Sequence, residues 1–291
     1  MLSKEIVEDV EIVSSLLHTC NADASDIDGT VNVEQGLIQI ELEIGRTYPE
    51  RHKIVQVVED GWFDYRNRRG TYQPVIREAV RIIPELFTGL LREDVKRLCE
   101  FVVKREGSKT YTFPRTLYQV LLARPQGERR LLLAITGSPY DIAVPLCKEL
   151  GFDAAVGCYM LTDNRGRYTG ERDERPACDK GAVMDELAEK LGIVWNYGVA
   201  VGDSPTDIPM FQRCSFRLAV NPTMDLQMWM RDHHEVNVAW VADHQKTGTQ
   251  VKMPDDLGRY NETDLYHALP HDLARAFPPL PGMWRNPATR E

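Results

Sequence analysis

The sequence of 291 residues contains no apolar run approaching the ~20 residues that a membrane-spanning helix requires. It also lacks an excess of positive charge. The formal net charge is −9, which argues against nucleic acid or an anionic membrane surface as the main partner. Six cysteines are present but no Cys-x-x-Cys spacing, so neither a zinc knuckle nor a disulfide framework is expected. The first turns are acidic (Glu5, Glu8, Asp9, Glu11) where a secretory signal would be basic. A cytosolic protein with reduced thiols is the expectation. The apolar share of 43% and charged share of 27% are those of an ordinary globular chain, long enough for one large domain or two.

What is there centres on Asp26-Ile27-Asp28-Gly29-Thr30. A strand ending near Asp26 puts Asp26 and Asp28 on the same side of the backbone. Gly29 then lets the chain turn away. One carboxylate could attack or bind a metal while the other handles a proton; an acidic turn would use the same residue types. The preceding residues, Thr19 to Ser25, are poor in β-branched side chains, and only their position argues for a strand. Asp23 reads as a charge near a strand end. Before it, Ile6, Val7, Val10, Val13, Leu16 and Leu17 follow helical spacing.

Residues 32–117 read as a helical insert. Apolar positions at 54–58, 75–83 and 95–102 keep helical periods without an alternating strand between them. The pattern then changes. Leu131 to Ile135 is a continuous apolar run, as in a strand buried on both faces of a parallel sheet. It leads into Thr136-Gly137-Ser138-Pro139-Tyr140-Asp141, where Ser138 could cap a helix and Asp141 complete a capping box. A strand feeding a helix N-terminus makes an anion site, with the Thr136 hydroxyl at its mouth. Pro145 would cost about 3 kcal/mol inside that helix, which predicts a kink or a later start. Ala154 to Met160 predicts the next strand, and Asp163 to Gly166 a hairpin turn. Lys180 opens a helix against its dipole, either as a solvated charge or facing an anion. Strands are expected at 197–201, 216–220 and 236–241, the first running into Gly202-Asp203-Ser204-Pro205-Thr206-Asp207. The segment 243–291 is proline-rich and irregular.

These four pieces, Asp26-x-Asp28-Gly29-Thr30, Thr136, Lys180 and Gly202-Asp203-Ser204-Pro205-Thr206-Asp207, resemble in identity and order the motifs of the haloacid dehalogenase superfamily of phosphohydrolases. The insert after the first motif resembles the cap of its phosphoserine-phosphatase-like branch. Two departures stand out: Ser25 replaces the usual aliphatic or aromatic residue, and Thr206 stands where phosphoserine phosphatases carry Asn.

The resemblance implies an α/β fold with a doubly wound, mostly parallel sheet. Residues 1–31 and 118–291 would form the core, and 32–117 an inserted helical cap. It further implies an Mg²⁺-dependent phosphatase acting on a small phosphorylated metabolite through an aspartyl-phosphate. Asp26 would be the nucleophile and Asp28 the general acid and base. Asp26, Asp28 (through its backbone carbonyl), Asp203 and Asp207 would form the metal site. Thr136, Gly137 and Lys180 would hold the phosphoryl group, and Lys180 would balance Asp26. Glu34 and Arg81 fall where that family reads the ammonium and carboxylate of phosphoserine. A phosphotransferase using the same intermediate, and a non-catalytic binding protein on this fold, are the alternatives.

Overall fold

The computed structural model describes residues 1–32, 35–67, 69, 72–106, 110, 114, 117–118, 121–123, 129–233, 236 and 238–241. Glu34 and the segment 243–291 lie outside them. A seven-stranded sheet runs through the molecule in the order β4-β3-β2-β1-β5-β6-β7. Its strands are β1 (Ala22–Ser25), β2 (Leu131–Pro139), β3 (Ala154–Thr162), β4 (Tyr168–Asp173), β5 (Val199–Gly202), β6 (Phe216–Val220) and β7 (Ala239–Val241). All neighbours pair in parallel except β3 and β4, the hairpin closed by the turn at Asp163.

β1 has four residues, Ala-Asp-Ala-Ser, none with strong strand propensity. It holds the centre of the sheet because both neighbours pair with it, and context overrides propensity there. Asp23, second of the four, is a charge near the strand's start but not a solvated one. It is buried, accepts the Val199 amide at 2.9 Å, and pairs with Arg130 Nε at 3.0 Å. The two remaining small side chains of the outer positions, Ala22 and Ala24, join the opposite face.

Helices cover both faces. On one lie α1 (Lys4–Leu17), α8 (Lys180–Leu191), α9 (Ile208–Arg213) and α10 (Met224–Asp232), packed on Ala24, Leu133, Ile135 and Ala200. On the other lie α6 (Tyr140–Leu150) and the four helices of the insert: α2 (Gly36–Thr47), α3 (His52–Arg66), α4 (Tyr72–Phe87) and α5 (Arg92–Glu106). Helix α2 is buried almost all round, its polar Gln39 and Glu41 included. A single apolar cluster runs from Ile82, Leu86 and Val95 of the insert to Leu132, Val199 and Val201 of the sheet. Arg92 fastens the two parts from the outside. Its guanidinium donates to Asp141 at 2.7 Å, to Glu5 at 2.8 Å and to the Tyr159 hydroxyl at 3.0 Å.

Helix α6 begins at Tyr140 and runs through Pro145, and neither a later start nor a capping box is found. Asp141 is spoken for by Arg92 and Tyr168 instead. The short helix α7 (Arg175–Cys178) precedes α8. No helix among the described residues is long and apolar enough to cross a membrane.

The start of α1 is tied to α8 by Glu186, which accepts the Leu2 amide and pairs with Arg175 at 2.6 Å and Lys190 at 2.6 Å. Burial would raise this carboxyl, but Lys190, Arg175 and the Leu2 amide outweigh it and hold it at about 2. Its contribution is therefore complete above the ordinary Glu range and is lost as pH falls from about 5 toward 2. Glu186→Gln is expected to cost stability at pH 7, with the gap to wild type closing as pH falls through that window. Urea melts at several pH values read this directly, and a gap constant with pH would disprove it.

Candidate active site

β1 ends at Ser25, so Asp26 sits at the carboxyl edge of the central strand, its amide donating to Val201 O at 2.9 Å. Behind it, Ser25 Oγ lies 2.5 Å from both the Asp26 carbonyl and the hydroxyl of the buried Tyr118. A hydroxyl thus replaces the expected bulky side chain because it has a buried phenol to meet.

Gly29 turns the chain with φ of +87°, and a Cβ there would stand 2.7 Å from Asp203 Oδ2. At the end of β5, a Cβ on Gly202 would meet the Asp207 side chain at 2.4 Å. Close approach thus requires both glycines, and at Gly29 the positive φ requires one as well.

Lys180 enters from the first turn of α8, almost fully buried, and donates to Asp26 Oδ1 at 2.6 Å and to Asp207 Oδ1 at 2.6 Å. It is no solvated charge. Burial alone would lower its pKa, but Asp207 and Asp26 more than reverse that and keep the ammonium charged. The Thr30 hydroxyl stands 3.2 Å from Asp26 Oδ2 and 3.2 Å from Asp203 Oδ1, shared between the two acids. Burial pushes Asp26 up to about 7, opposed by Lys180 and assisted by Asp207 and Asp28. Asp203 is raised well above the carboxylate range by burial, then by the charges of Asp207 and Asp26.

Asp28 is gripped separately. Its Oδ1 accepts the Gly36 amide at 2.7 Å, and its Oδ2 accepts the Ser138 hydroxyl. Burial raises its pKa, with Ser138 and Gly36 pulling it back part of the way. Ser138 is thus a partner of Asp28 and not the cap of α6, which has no side-chain cap.

Thr136 is buried, and its Oγ1 accepts the Ser138 amide at 3.2 Å, leaving its proton free to donate. Asp26, Asp28, Thr136, Gly137, Lys180 and Asp203 all line one cavity of about 380 Å³. Leu37, Ile76 and Val80 of the insert form its apolar wall. Asp207 lies just behind: its Oδ2 accepts the amides of Asp203 and Ser204 at 2.8 and 3.0 Å.

Arg81 is not brought to this place. It is 61% exposed, pairs with Glu78 at 2.7 Å, and is absent from the lining. Gln35 does line the cavity, with φ of +54°. Nothing in the sequence marks Gln35, since its role depends on a left-handed backbone that Gln seldom adopts.

Carboxylate oxygens of Asp26, Asp203 and Asp207 lie within 4.8 Å of one another. This oxygen-only, crowded anionic set suits a hard divalent cation, whose charge would relieve the repulsion that raises Asp26 and Asp203. Both oxygens of Asp207 are already engaged, by Lys180 and by the amides of Asp203 and Ser204, so its part would be to fix Asp203.

The arrangement has relatives. The chain is 28% identical over 145 residues to a histidinol-phosphatase of Neisseria meningitidis, covering 47% of this chain and 64% of that one, less than two thirds of its length. It is 24% identical over 197 residues to a phosphoserine phosphatase of Methanocaldococcus jannaschii, covering 67% of this chain and 82% of that one. A protein of unknown function from Bordetella pertussis Tohama I shares the fold with a TM-score of 0.55 at 14% identity, over 76% of this chain and 98% of the other. Haloacid dehalogenase-like hydrolases as a family match residues 24–212, a span that begins in β1, ends in α9 and contains all four motifs. With acids at the ends of β1 and β5 joined by a lysine from α8 inside that span, the chain belongs to the haloacid dehalogenase-like hydrolases.

Proposed function

We propose that this protein is an Mg²⁺-dependent phosphatase that hydrolyses a small-molecule phosphomonoester through an aspartyl-phosphate. One observation carries the reading: Asp26, Asp28, Thr136, Lys180 and Asp203, from four separate stretches of chain, face a single cavity. Relatives named for histidinol phosphate and phosphoserine support the choice of a small metabolite.

Phosphoryl transfer asks for an in-line nucleophile and positive charge around the transferring oxygens. Asp26 Oδ2, the oxygen not held by Lys180, attacks phosphorus while the ester oxygen departs. Asp28 gives that oxygen its proton. Its raised pKa favours the protonated form that this step needs, and Ser138 and the Gly36 amide fix its aim. The deprotonated Asp28 then takes a proton from the water that cleaves the acyl phosphate. Lys180 and the hydroxyl of Thr136 hold the phosphoryl oxygens, with the Gly137 amide beside them. Asp26, Asp203 and the backbone carbonyl of Asp28 would hold Mg²⁺, which supplies charge neutralisation for the phosphoryl group. Helices α2–α5 act as the cap, with Leu37, Ile76 and Val80 excluding water from the reacting bond.

A phosphate-release screen over metabolite classes tests the activity. EDTA is expected to lower the rate at least ~100-fold, Mg²⁺ to restore it, and Ca²⁺ to fail because its larger, looser shell disfavours the required geometry. Activity indifferent to chelation would rule out the metal role of Asp26 and Asp203.

A further inference from the structure

Gln35 is the residue that leads into α2, and its backbone is strained, with φ of +54° and ψ of +92°. Residues other than glycine seldom adopt that conformation. The peptide that follows is held at both of its polar atoms. The Gln35 carbonyl accepts the Gln39 amide at 3.1 Å, and the Gly36 amide donates to Asp28 Oδ1 at 2.7 Å. The strained turn is thus what carries the Gly36 amide to Asp28.

The same turn leaves the Gln35 side chain at the cavity. Gln35 is only 7% exposed and lines it, and no described group hydrogen-bonds its carboxamide. A buried amide without a partner costs stability unless a ligand supplies one. Asp28 hands its proton to the departing ester oxygen, and the residue next to Gln35 grips Asp28. The alcohol half of the substrate therefore leaves the reacting centre on the Gln35 side.

The insert's other described contributions to the lining, Leu37, Ile76 and Val80, are all apolar. The charged residues Asp26, Asp28, Lys180 and Asp203 belong to phosphoryl transfer, and Asp225 is open to solvent. The insert thus offers the leaving group an amide set in an apolar wall. An amide donates through its nitrogen and accepts through its oxygen, and a hydroxyl also does both. An ammonium or carboxylate there would exchange its water for a neutral partner among apolar side chains, which is costly.

We propose that Gln35 is a specificity residue that selects phosphomonoesters of neutral polyols, hydrogen-bonding a hydroxyl of the leaving alcohol. The assignment rests on the phosphatase reading above and names its substrate class. Gln39 and Asp28 pin the peptide beside Gln35, so the backbone that carries the amide is fixed before the substrate arrives.

The test compares kcat/KM for glycerol phosphate, propyl phosphate and phosphoethanolamine in wild type, Gln35→Leu, Gln35→Gly and Gln35→Glu. Wild type is expected to favour glycerol phosphate over each of the others by about tenfold or more. Gln35→Leu should bring the ratio to propyl phosphate near unity, and Gln35→Glu should turn the preference toward phosphoethanolamine. Gln35→Gly guards against a folding failure, since glycine accepts the backbone without strain; it should erase the same ratio with the melting temperature held or raised. A wild-type preference for phosphoethanolamine, or a ratio unchanged in both the Leu and Gly variants, would overturn the proposal. So would equal losses on all three compounds, which would mean that Gln35 acts only through Gly36 and Asp28. Binding is read separately, as the melting shift each compound produces in Asp26→Asn. A larger shift with glycerol phosphate than with propyl phosphate, but no hydrolysis by wild type, would remove the phosphatase reading and leave this one; hydrolysis without preference would do the reverse.

Discussion

Asp26→Asn is expected to fold normally and to lose at least ~10⁴-fold in turnover. Asn keeps the shape and can offer its carbonyl oxygen to Lys180, so the hydrogen bond that fixes the side chain survives. What vanishes is the anion able to displace an alkoxide. Stability should hold or rise, since Asp26 is a buried acid facing Asp203 and Asp207, and Asn removes that repulsion. Beryllofluoride supplies an independent readout. As a mimic of the acyl phosphate it should raise the melting temperature of the Mg²⁺-loaded wild type and leave Asp26→Asn unmoved. Turnover in Asp26→Asn within tenfold of wild type would mean that water attacks phosphorus directly and that Asp26 only steers.

Lys180→Met is the second large effect, and it strikes fold and chemistry together. Lys180 Nζ sits between Asp26 and Asp207 with almost no access to water. Removing one partner of a buried ion pair costs about 3–5 kcal/mol because the other charges stay behind. Here two carboxylates are left, and Asp207 also holds the amides of Asp203 and Ser204 in place. The loop that carries Asp203 should loosen with it. Urea melts should show the loss in stability, and phosphate release should be undetectable. Adding Asp207→Asn to Lys180→Met should recover part of the stability, by lifting one stranded charge, but none of the activity. A Lys180→Met protein within about 0.5 kcal/mol of wild type would show that the lysine is dispensable to the fold.

Much of the site was legible because its parts are chemically costly. Asp203 stands out as a charge where an apolar strand ends, Asp26 and Asp28 as paired carboxylates before a Gly-Thr turn, and Lys180 as a cation at a helix start, while periodicity found the flanking β2, β6 and α8. The rest was hidden for particular reasons. β1 is too short and too poor in β-branched residues to announce itself, and only pairing on both sides makes it a strand. Ser138 carries an ordinary cap signature, but the strand extends to Pro139 and turns its hydroxyl toward Asp28. Helix α2 is buried almost all round, Gln39 and Glu41 included, so its polar positions do not mark a solvent-facing side. Arg81 has the right side chain and spacing, yet sequence cannot say which face of α4 meets the cavity; Ile76 and Val80 do, and Arg81 pairs with Glu78 outside. Thr206, exposed beside Ser204 at 2.8 Å, is a departure that the geometry absorbs without touching the acids.

The apolar cluster shared by the insert and the sheet constrains how this protein can diverge. In an enzyme whose specificity domain has a core of its own, that domain can drift or be exchanged while the catalytic scaffold stays intact. Here Ile82, Leu86 and Val95 pack in the same cluster as Leu132, Val199 and Val201, next to the strands that hold Asp26 and Asp203. A cavity opened in the insert is a cavity in the scaffold, at roughly 2–5 kcal/mol for each large side chain lost. New substrate preferences must therefore arise from a few positions that face the cavity without belonging to that cluster, Gln35, Ser204 and Thr206 among them. Natural variation within the lineage should concentrate at such rim positions, with the helices behind them changing slowly and together.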